Sequence, residues 1–457
     1  MSKSDNNGQS NSPNNNKNAR MIITTRGMEP DDRKLFDSGL SFDPSVSPND
    51  YAAALEDERR NVDESLSMYI HLPFCPSRCL TCDHQTSVSH DHKQIDQYLD
   101  TLEIEIQLVT DHLGKGRHLQ QLHLGGGTPN YLSEVQLVRL VDMLDKYFTI
   151  DAQTESSLDA NAQRASMSQL SLLHGLGFRT LNLELRDLDP TVQQALGRHQ
   201  SVPVIRDVFE NARQVGFDTV STDLVYGLPM QTVGSIQRTL DSLLELNPDR
   251  ISCFTYSRRA NLFQHQRAID AQQMPSVADK VAIFSRIVDR LCGSGYEWVG
   301  LDCFASENDR ISEAQRRGAL HRNWIGYTAQ PGRNVIGLGS SSMTDLSSIC
   351  VQNHSDVGLW RESLERGELP MSAAARLSPN LRARRHALSD LMCNLHLTDD
   401  QNTLLDADEE VPALQVLRED GLVEVEGNKL IMTEAGRYTL HQVCGDSSPT
   451  YRWRTIG

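Results

Sequence analysis

Apolar residues along this chain switch repeatedly between a spacing of roughly 3.6 and a spacing of two, the periods that helices and strands impose on a buried face. Helical spacing predicts helices over 92–113, 133–148, 167–176, 202–215 and 232–246. Short β-branched or leucine-rich runs predict strands over 119–124, 155–159, 180–185, 218–225, 250–256 and 297–301, and a further apolar run stands just before Cys75. Strands alternating with helices imply parallel β/α units. Such sheets hold ligands at the carboxyl ends of their strands. No internal repeat has a fixed period. From about residue 377 the pattern changes to a helix over 381–395, then GLVEVEGNKLIMTEAGRYTL, which reads as a hairpin and a helix. The expected division is a disordered polar tail over 1–18, an extension over 19–66 with a short helix near 51–60, an α/β domain over 67–376, and an α-rich, winged-helix-like domain over 377–457.

Length and charge narrow the classes. A chain of 457 residues holds one large domain and a smaller one. A hydrophobic content of 38% with no run near twenty apolar residues predicts a protein with no membrane span. The first residues carry no apolar signal core, and nine cysteines without even pairing suit a reducing cytoplasm. A net charge of −17 argues against nucleic-acid binding through phosphate neutralisation, so an anionic substrate needs a local basic pocket.

Chemistry concentrates in MYIHLPFCPSRCLTCDH, where Cys75, Cys79 and Cys82 leave three and then two residues between them. One loop can wrap three soft thiolates around a zinc, copper(I) or iron–sulfur centre. A zinc site wants four ligands, which His84 or His90 could complete, and a four-iron cluster lacks its fourth cysteine here. Buried thiols are the plain alternative. Gly125, Gly126, Gly127, Thr128 and Pro129 end the second strand, and absent side chains there let backbone approach a ligand. Asp159 closes the third strand, Glu184 and Arg186 the fourth, and Asp223 sits in TDLVYGLP at the end of the fifth. A carboxylate at Asp223 can accept two hydroxyl hydrogen bonds, and a guanidinium at Arg198 suits a carboxylate ligand.

The cysteine spacing resembles that of radical S-adenosylmethionine (SAM) enzymes, and YIHLPFC resembles the branch of oxygen-independent coproporphyrinogen III oxidases. The resemblance runs from about residue 67 to 434. It implies a partial (β/α)6 barrel with a smaller C-terminal domain over the substrate cavity, and a [4Fe–4S] cluster on Cys75, Cys79 and Cys82 whose fourth iron binds SAM. It further implies SAM contacts at Tyr69, Thr81, Gly126, Gly127, Thr128, Asp159, Arg186, Arg198, Asp223, Ser257 and Met343. The implied reaction cleaves SAM reductively, removes a hydrogen from the β-carbon of a propionate and releases carbon dioxide to leave a vinyl group. It needs an electron donor, an electron acceptor and a tetrapyrrole substrate, and a monomer suffices. His321, Arg322, Arg258, Arg259, Arg316 and Arg317 are candidates for a basic lip that receives propionates. The chain departs from the family at Thr81 (an aromatic in the family), His84 (a cysteine), Asp159 (a glutamate), Glu184 (a glycine) and Arg186 (a glutamine). SFDPSVSPNDY stands where relatives carry an Arg-Tyr-Thr-Ser-Tyr-Pro-like segment. Radical chemistry on another tetrapyrrole or on haem, and haem binding without catalysis, are the two alternative functions.

Overall fold

A computed structural model describes residues 41–61, 65–401 and 418–444; the expected polar tail lies outside them. Six strands, β1 (Leu66–Leu72), β2 (Arg117–Gly126), β3 (Glu155–Ala160), β4 (Thr180–Arg186), β5 (Thr219–Tyr226) and β6 (Arg250–Thr255), pair in sequence order, all parallel. Helices cross over between them, including His92–Leu113, Glu134–Asp145, Met167–Gly175, Val202–Val215 and Val233–Leu246. Their starts follow local chemistry: Ser133 with Gln136, and Thr232 with Ser235, form reciprocal capping pairs. The helix expected over 133–148 stops at Asp145, because Phe148–Thr149 instead pairs in parallel with the start of β2.

On its other side β1 pairs in parallel with Asn334–Leu338, followed by the antiparallel strands Met343–Asp345, Ile349–Asn353 and Met371–Arg376. The strand expected over 297–301 breaks the parallel rhythm. Tyr296–Val299 turns back through Gly300, φ 57°, and pairs antiparallel with Cys303–Ser306, which pairs antiparallel with β6. A connection of three residues permits a hairpin and forbids a parallel crossover.

Alternation within the parallel strands decides what the barrel is for. Leu158 and Ala160, and Leu181, Leu183 and Leu185, are buried under the helices. Their alternates Ser157, Asp159, Asn182, Glu184 and Arg186 are partly exposed and point to the other face. Parallel strands covered on both faces are normally apolar throughout, so this barrel encloses a polar lumen. The segment 321–328 enters it: Asn323 Nδ2 donates to Gln121 Oε1 at 2.7 Å, and Thr328 Oγ1 donates to Glu155 Oε2 at 2.7 Å.

Pro379–Asn394 and Glu434–Cys444 are helices, and His396–Thr398, Lys429–Met432 and Val423–Glu426 form a three-stranded antiparallel sheet. Leu388, Leu391, Leu397, Leu422 and Leu430 gather there in a small apolar cluster that meets the barrel at Leu301 and Tyr327, and Tyr438 packs edge-on against Phe284 and Trp298. Polar contacts tie it down further, among them Arg385 to Asp345 at 2.7 Å.

Glu105 fastens the helix His92–Leu113 to the strand ends. Its carboxylate accepts from Gly339 N at 2.7 Å, Asn353 Nδ2 at 2.6 Å and Trp360 Nε1 at 3.1 Å, and burial pushes its pKa up to about 7 despite those donors. Glu105→Leu leaves two buried donors, Gly339 N and Trp360 Nε1, without an acceptor, each costing about 1–3 kcal/mol, while Asn353 Nδ2 keeps Gly339 O and Ser342 Oγ. The expected loss is at least about 2 kcal/mol, read as a lower urea midpoint with an unchanged slope.

Candidate active site

The cysteine loop leaves the carboxyl end of β1 and is held on three sides. Gly127 N donates to Leu72 O at 2.8 Å and Thr128 N to Phe74 O at 2.9 Å, which fixes the glycine turn of β2 against the start of the loop. Leu80 N donates to Leu196 O at 3.4 Å. His265 Nε2 and Gln266 Nε2 donate to the carbonyl of Cys82 at 2.7 and 3.1 Å. The turn is built for glycine: a Cβ on Gly127 would lie 2.7 Å from Phe74 O, and one on Gly126, at φ +105°, 2.5 Å from the His71 ring. Because the N–H groups of Gly127 and Thr128 serve the chain itself, the turn has carbonyls rather than N–H groups to offer a ligand.

Each thiol has a polar neighbour of its own. Thr128 Oγ1 donates to Cys75 Sγ at 3.5 Å, Arg198 NH1 donates to Cys79 Sγ at 3.1 Å, and Cys82 Sγ lies 3.9 Å from Thr86 Oγ1. Burial pushes the Cys75 thiol up to about 12. Burial acts on Cys82 in the same direction, but the hydrogen bond and charge of His84, with the charge of Arg186, outweigh it and hold this thiol below its ordinary value. Among the described residues no three His, Cys, Asp or Glu side chains gather around one point. A cubic cluster takes one thiolate per iron, so each ligand sulfur keeps its own surroundings. Separate donors on separate sulfurs fit the cluster.

Above the loop runs a row of polar side chains across neighbouring strands. Tyr69 stacks on His123 with centroids 5.7 Å apart and meets Trp324 edge-on at 4.6 Å. His123 Nδ1 lies 2.8 Å from Ser157 Oγ, and its Nε2 lies 3.4 Å from Asp159 Oδ2. Asn182 Nδ2 donates to Asp159 Oδ1 at 3.0 Å and Asp223 Oδ2 at 3.2 Å, with its own Oδ1 fixed by Ser221 at 3.0 Å. Burial raises both acids, but His123 reverses the effect at Asp159 and holds it below its ordinary value. At Asp223 burial is reinforced by the carboxylates of Asp159 and Glu184, which push it to about 8.

Arg186 sits at a bulge between β4 and β5 with φ 66°. That left-handed backbone is costly for a residue with a side chain and turns Arg186 toward the cysteine loop, where its NH1 donates to Thr81 Oγ1 at 3.0 Å. Burial opposes its charge, but Glu184 and the cysteines Cys79 and Cys82 raise its pKa. Glu184 and Arg186 do share a face, as alternation predicts, yet the ion pair of Glu184 is with Arg198, at 3.8 Å. Ser257 follows β6 at the same rim. Met343 is buried and packs with Cys350, Ala373 and Trp324, so it reaches the row through the indole that touches Tyr69.

The six candidates for a basic lip do not form one. Arg258 Nε donates to the carbonyl of Gln266 at 3.2 Å, and Gln266 also holds Cys82 and the N–H of Arg259, so this pair lies at the cysteine end. Arg316 bonds to Glu297, and Arg317 pairs with Glu313 at 3.0 Å on its own helix. His321 and Arg322 stand by Ser65 and Asn334, at the opposite end of β1.

A family model of the radical SAM superfamily matches residues 69–243. The oxygen-independent coproporphyrinogen III oxidase of Pseudomonas aeruginosa is 32% identical over 418 residues, covering 90% of this chain and 91% of that one. This chain belongs to the oxygen-independent coproporphyrinogen III oxidase family. The oxidase of Escherichia coli strain K12 is 34% identical over 86% of this chain and 87% of its own. The solved structure of coproporphyrinogen III oxidase from Escherichia coli, described as a radical SAM enzyme, superposes with a TM-score of 0.84 at 31% identity, covering 94% of this chain and 98% of that one. The family model stops at residue 243, whereas the oxidase relationship extends through the antiparallel strands and beyond. Among the described residues no helix is long and apolar enough to cross a membrane.

Four members of the row were not singled out from sequence: His123, Asn182, Ser157 and Ser221. Their signal was present as polar residues at every second place in LQQLHLGG, ESSLDA, TLNLELR and TVSTDLVY.

Proposed function

We propose that this protein oxidatively decarboxylates two propionates of coproporphyrinogen III to vinyl groups, giving protoporphyrinogen IX without oxygen. The observation that carries the reading is relationship to the oxidases over nine tenths of both chains, with the cysteine loop opening onto a polar barrel mouth. Its cofactors are a [4Fe–4S] cluster and SAM, which together supply hydrogen abstraction from an unactivated carbon.

Residue roles follow from the donors and acceptors at the rim. Cys75, Cys79 and Cys82 would hold the cluster, which would supply the electron that cleaves SAM. Carbonyls of Gly126 and Gly127, with Thr128 and Asp159, meet the ammonium group, and Arg198 meets the carboxylate. Asp223 accepts from the ribose hydroxyls, oriented by Asn182. Tyr69, Thr81, Arg186, Ser257 and Met343 complete the enclosure and exclude water. Arg258 and Arg259 lie beside Ser257 and are our candidates for propionate binding. The electron donor and acceptor are separate cytoplasmic partners, the protein acts as a monomer without nucleic acid, and the described C-terminal residues, 377–401 and 418–444, form a second domain packed against the barrel.

Asp223 makes the SAM site sensitive to pH. With its carboxyl near 8, it is mainly protonated at neutrality, and hydroxyl donors favour its ionised form. SAM binding therefore releases a proton below pH 8. Affinity should rise by up to about tenfold per pH unit between 6 and 8, then level off. Calorimetry in two buffers of different ionisation enthalpy counts that proton. Asp223→Asn should abolish the slope and weaken binding about 30-fold, the scale of two hydrogen bonds to a charged acceptor weakened together.

The reading is tested by anaerobic incubation of cluster-loaded protein with SAM, a reductant and coproporphyrinogen III. Protoporphyrinogen, identified by the mass lost in two decarboxylations, supports it. The second reading, radical chemistry on another tetrapyrrole, is favoured by departures clustered at Thr81, His84, Asp159 and Arg186. It predicts SAM cleavage without that product.

A further inference from the structure

At the amino-terminal end of β1, away from the cysteine loop, lies a cavity of about 470 Å³ between the barrel and the helix Pro379–Asn394. Ser65 and Asn334 mark its barrel wall, and four arginines line it: Arg322 and Arg333 from the barrel side, Arg382 and Arg385 from the helix. One lining carboxylate, Asp345, accepts both terminal nitrogens of Arg385, and Asp390 accepts from Arg333 at 2.8 Å. Positive charge remains in excess, in a chain whose net charge is −17. Two histidines share the cavity and cannot relieve it. Burial and the guanidiniums of Arg333, Arg382 and Arg385 hold His386 down to about 4, and burial with Arg333 lowers His321. The Nδ1 of His321 is buried with no hydrogen-bond partner.

Such a volume suits a small molecule, and convergent guanidiniums are suited to bidentate oxyanions. β1 spans seven residues, about 20 Å at a strand's rise, so a molecule here is out of reach of the SAM end. We propose that this cavity is a binding site for a small polyanion carrying at least two negative charges on phosphate or carboxylate oxygens, distinct from the reacting site. Because its cations come from both the barrel and the helix Pro379–Asn394, the ligand acts as a tie between them.

Calorimetry on the full-length, cluster-loaded protein saturated with SAM tests the site, using inorganic pyrophosphate and citrate as probes. One equivalent of at least one probe should bind per chain and raise the melting temperature. Arg382 is exposed and contributes to the cavity mouth, so its replacement leaves the fold and the iron content intact. Arg382→Glu should weaken binding about tenfold or more, and Arg382→Lys much less. Binding of pyrophosphate alone assigns a phosphoryl ligand, citrate alone a polycarboxylate, and both a site that reads charge; each upholds the proposal. No binding of either probe at millimolar concentration, or binding that Arg382→Glu leaves unchanged, overturns it.

Discussion

Gly127→Ala is expected to strip the protein of most of its iron. The added Cβ would meet Pro73 C and Phe74 O at 2.7 Å and Leu72 O at 2.8 Å. All three are backbone, so no side chain can swing away. The segment must move by several tenths of an ångström, and it leads directly into Cys75. Movement there also breaks the two bonds from Gly127 N and Thr128 N that hold the loop. Loss of both and the strain of overpacking amount to about 2–4 kcal/mol. Iron and sulfide per chain should fall by more than half, and activity by about a hundredfold. Gly175→Ala is the control. It lies in the helix Met167–Gly175 and its Cβ would meet nothing within 4 Å, so iron content should not change and stability should rise by up to about 1 kcal/mol. Equal iron in wild type and Gly127→Ala would show that the turn does not position the loop.

The second large effect concerns two departures that touch. Thr81 and Arg186 stand where the family resemblance places an aromatic residue and a glutamine, and here they are hydrogen-bonded at 3.0 Å. Each makes room for the other: Thr81 is 2% exposed, and the long guanidinium fills space that an aromatic ring would need. Thr81→Tyr alone should therefore drive the ring into Arg186 and lower kcat/KM for SAM about a hundredfold. Arg186→Gln alone removes a positive charge beside Cys79 and Cys82. It should lower the cluster's reduction potential by about 70 mV, the effect of a unit charge roughly a nanometre away at an effective dielectric near 20. The double variant should recover to within about tenfold of wild type, a coupling of at least about 1 kcal/mol in the cycle. Strict additivity of the two losses would show that the pair does not act as a unit. Potentiometry followed by electron paramagnetic resonance reads the charge effect independently of turnover.

Much of this molecule is legible in its sequence because local rules and global fold agree. The cysteine loop, the glycine turn and the acid of TDLVYGLP each sit where a parallel strand ends, and strand ends are visible in apolar spacing. The strand at 297–301 misled because period two does not encode direction; only the three-residue return shows that it is antiparallel. The lumen was missed for a different reason. A search for apolar runs passes over His123, Asn182 and Ser221, although polar residues at alternate places in parallel strands are themselves the sign of a polar interior. The grouping of six basic residues failed because neighbours in sequence part company in space. Arg258 and Arg322 belong to opposite ends of the barrel, a separation set by strand order that local spacing does not contain.

The most direct test of the account uses coproporphyrinogen III carrying deuterium at the β-carbons of its propionates, incubated anaerobically with the cluster-loaded protein, SAM and a reductant. The account predicts 5′-deoxyadenosine heavier by one mass unit, formed together with protoporphyrinogen. Unlabelled 5′-deoxyadenosine with no decarboxylated product would contradict it.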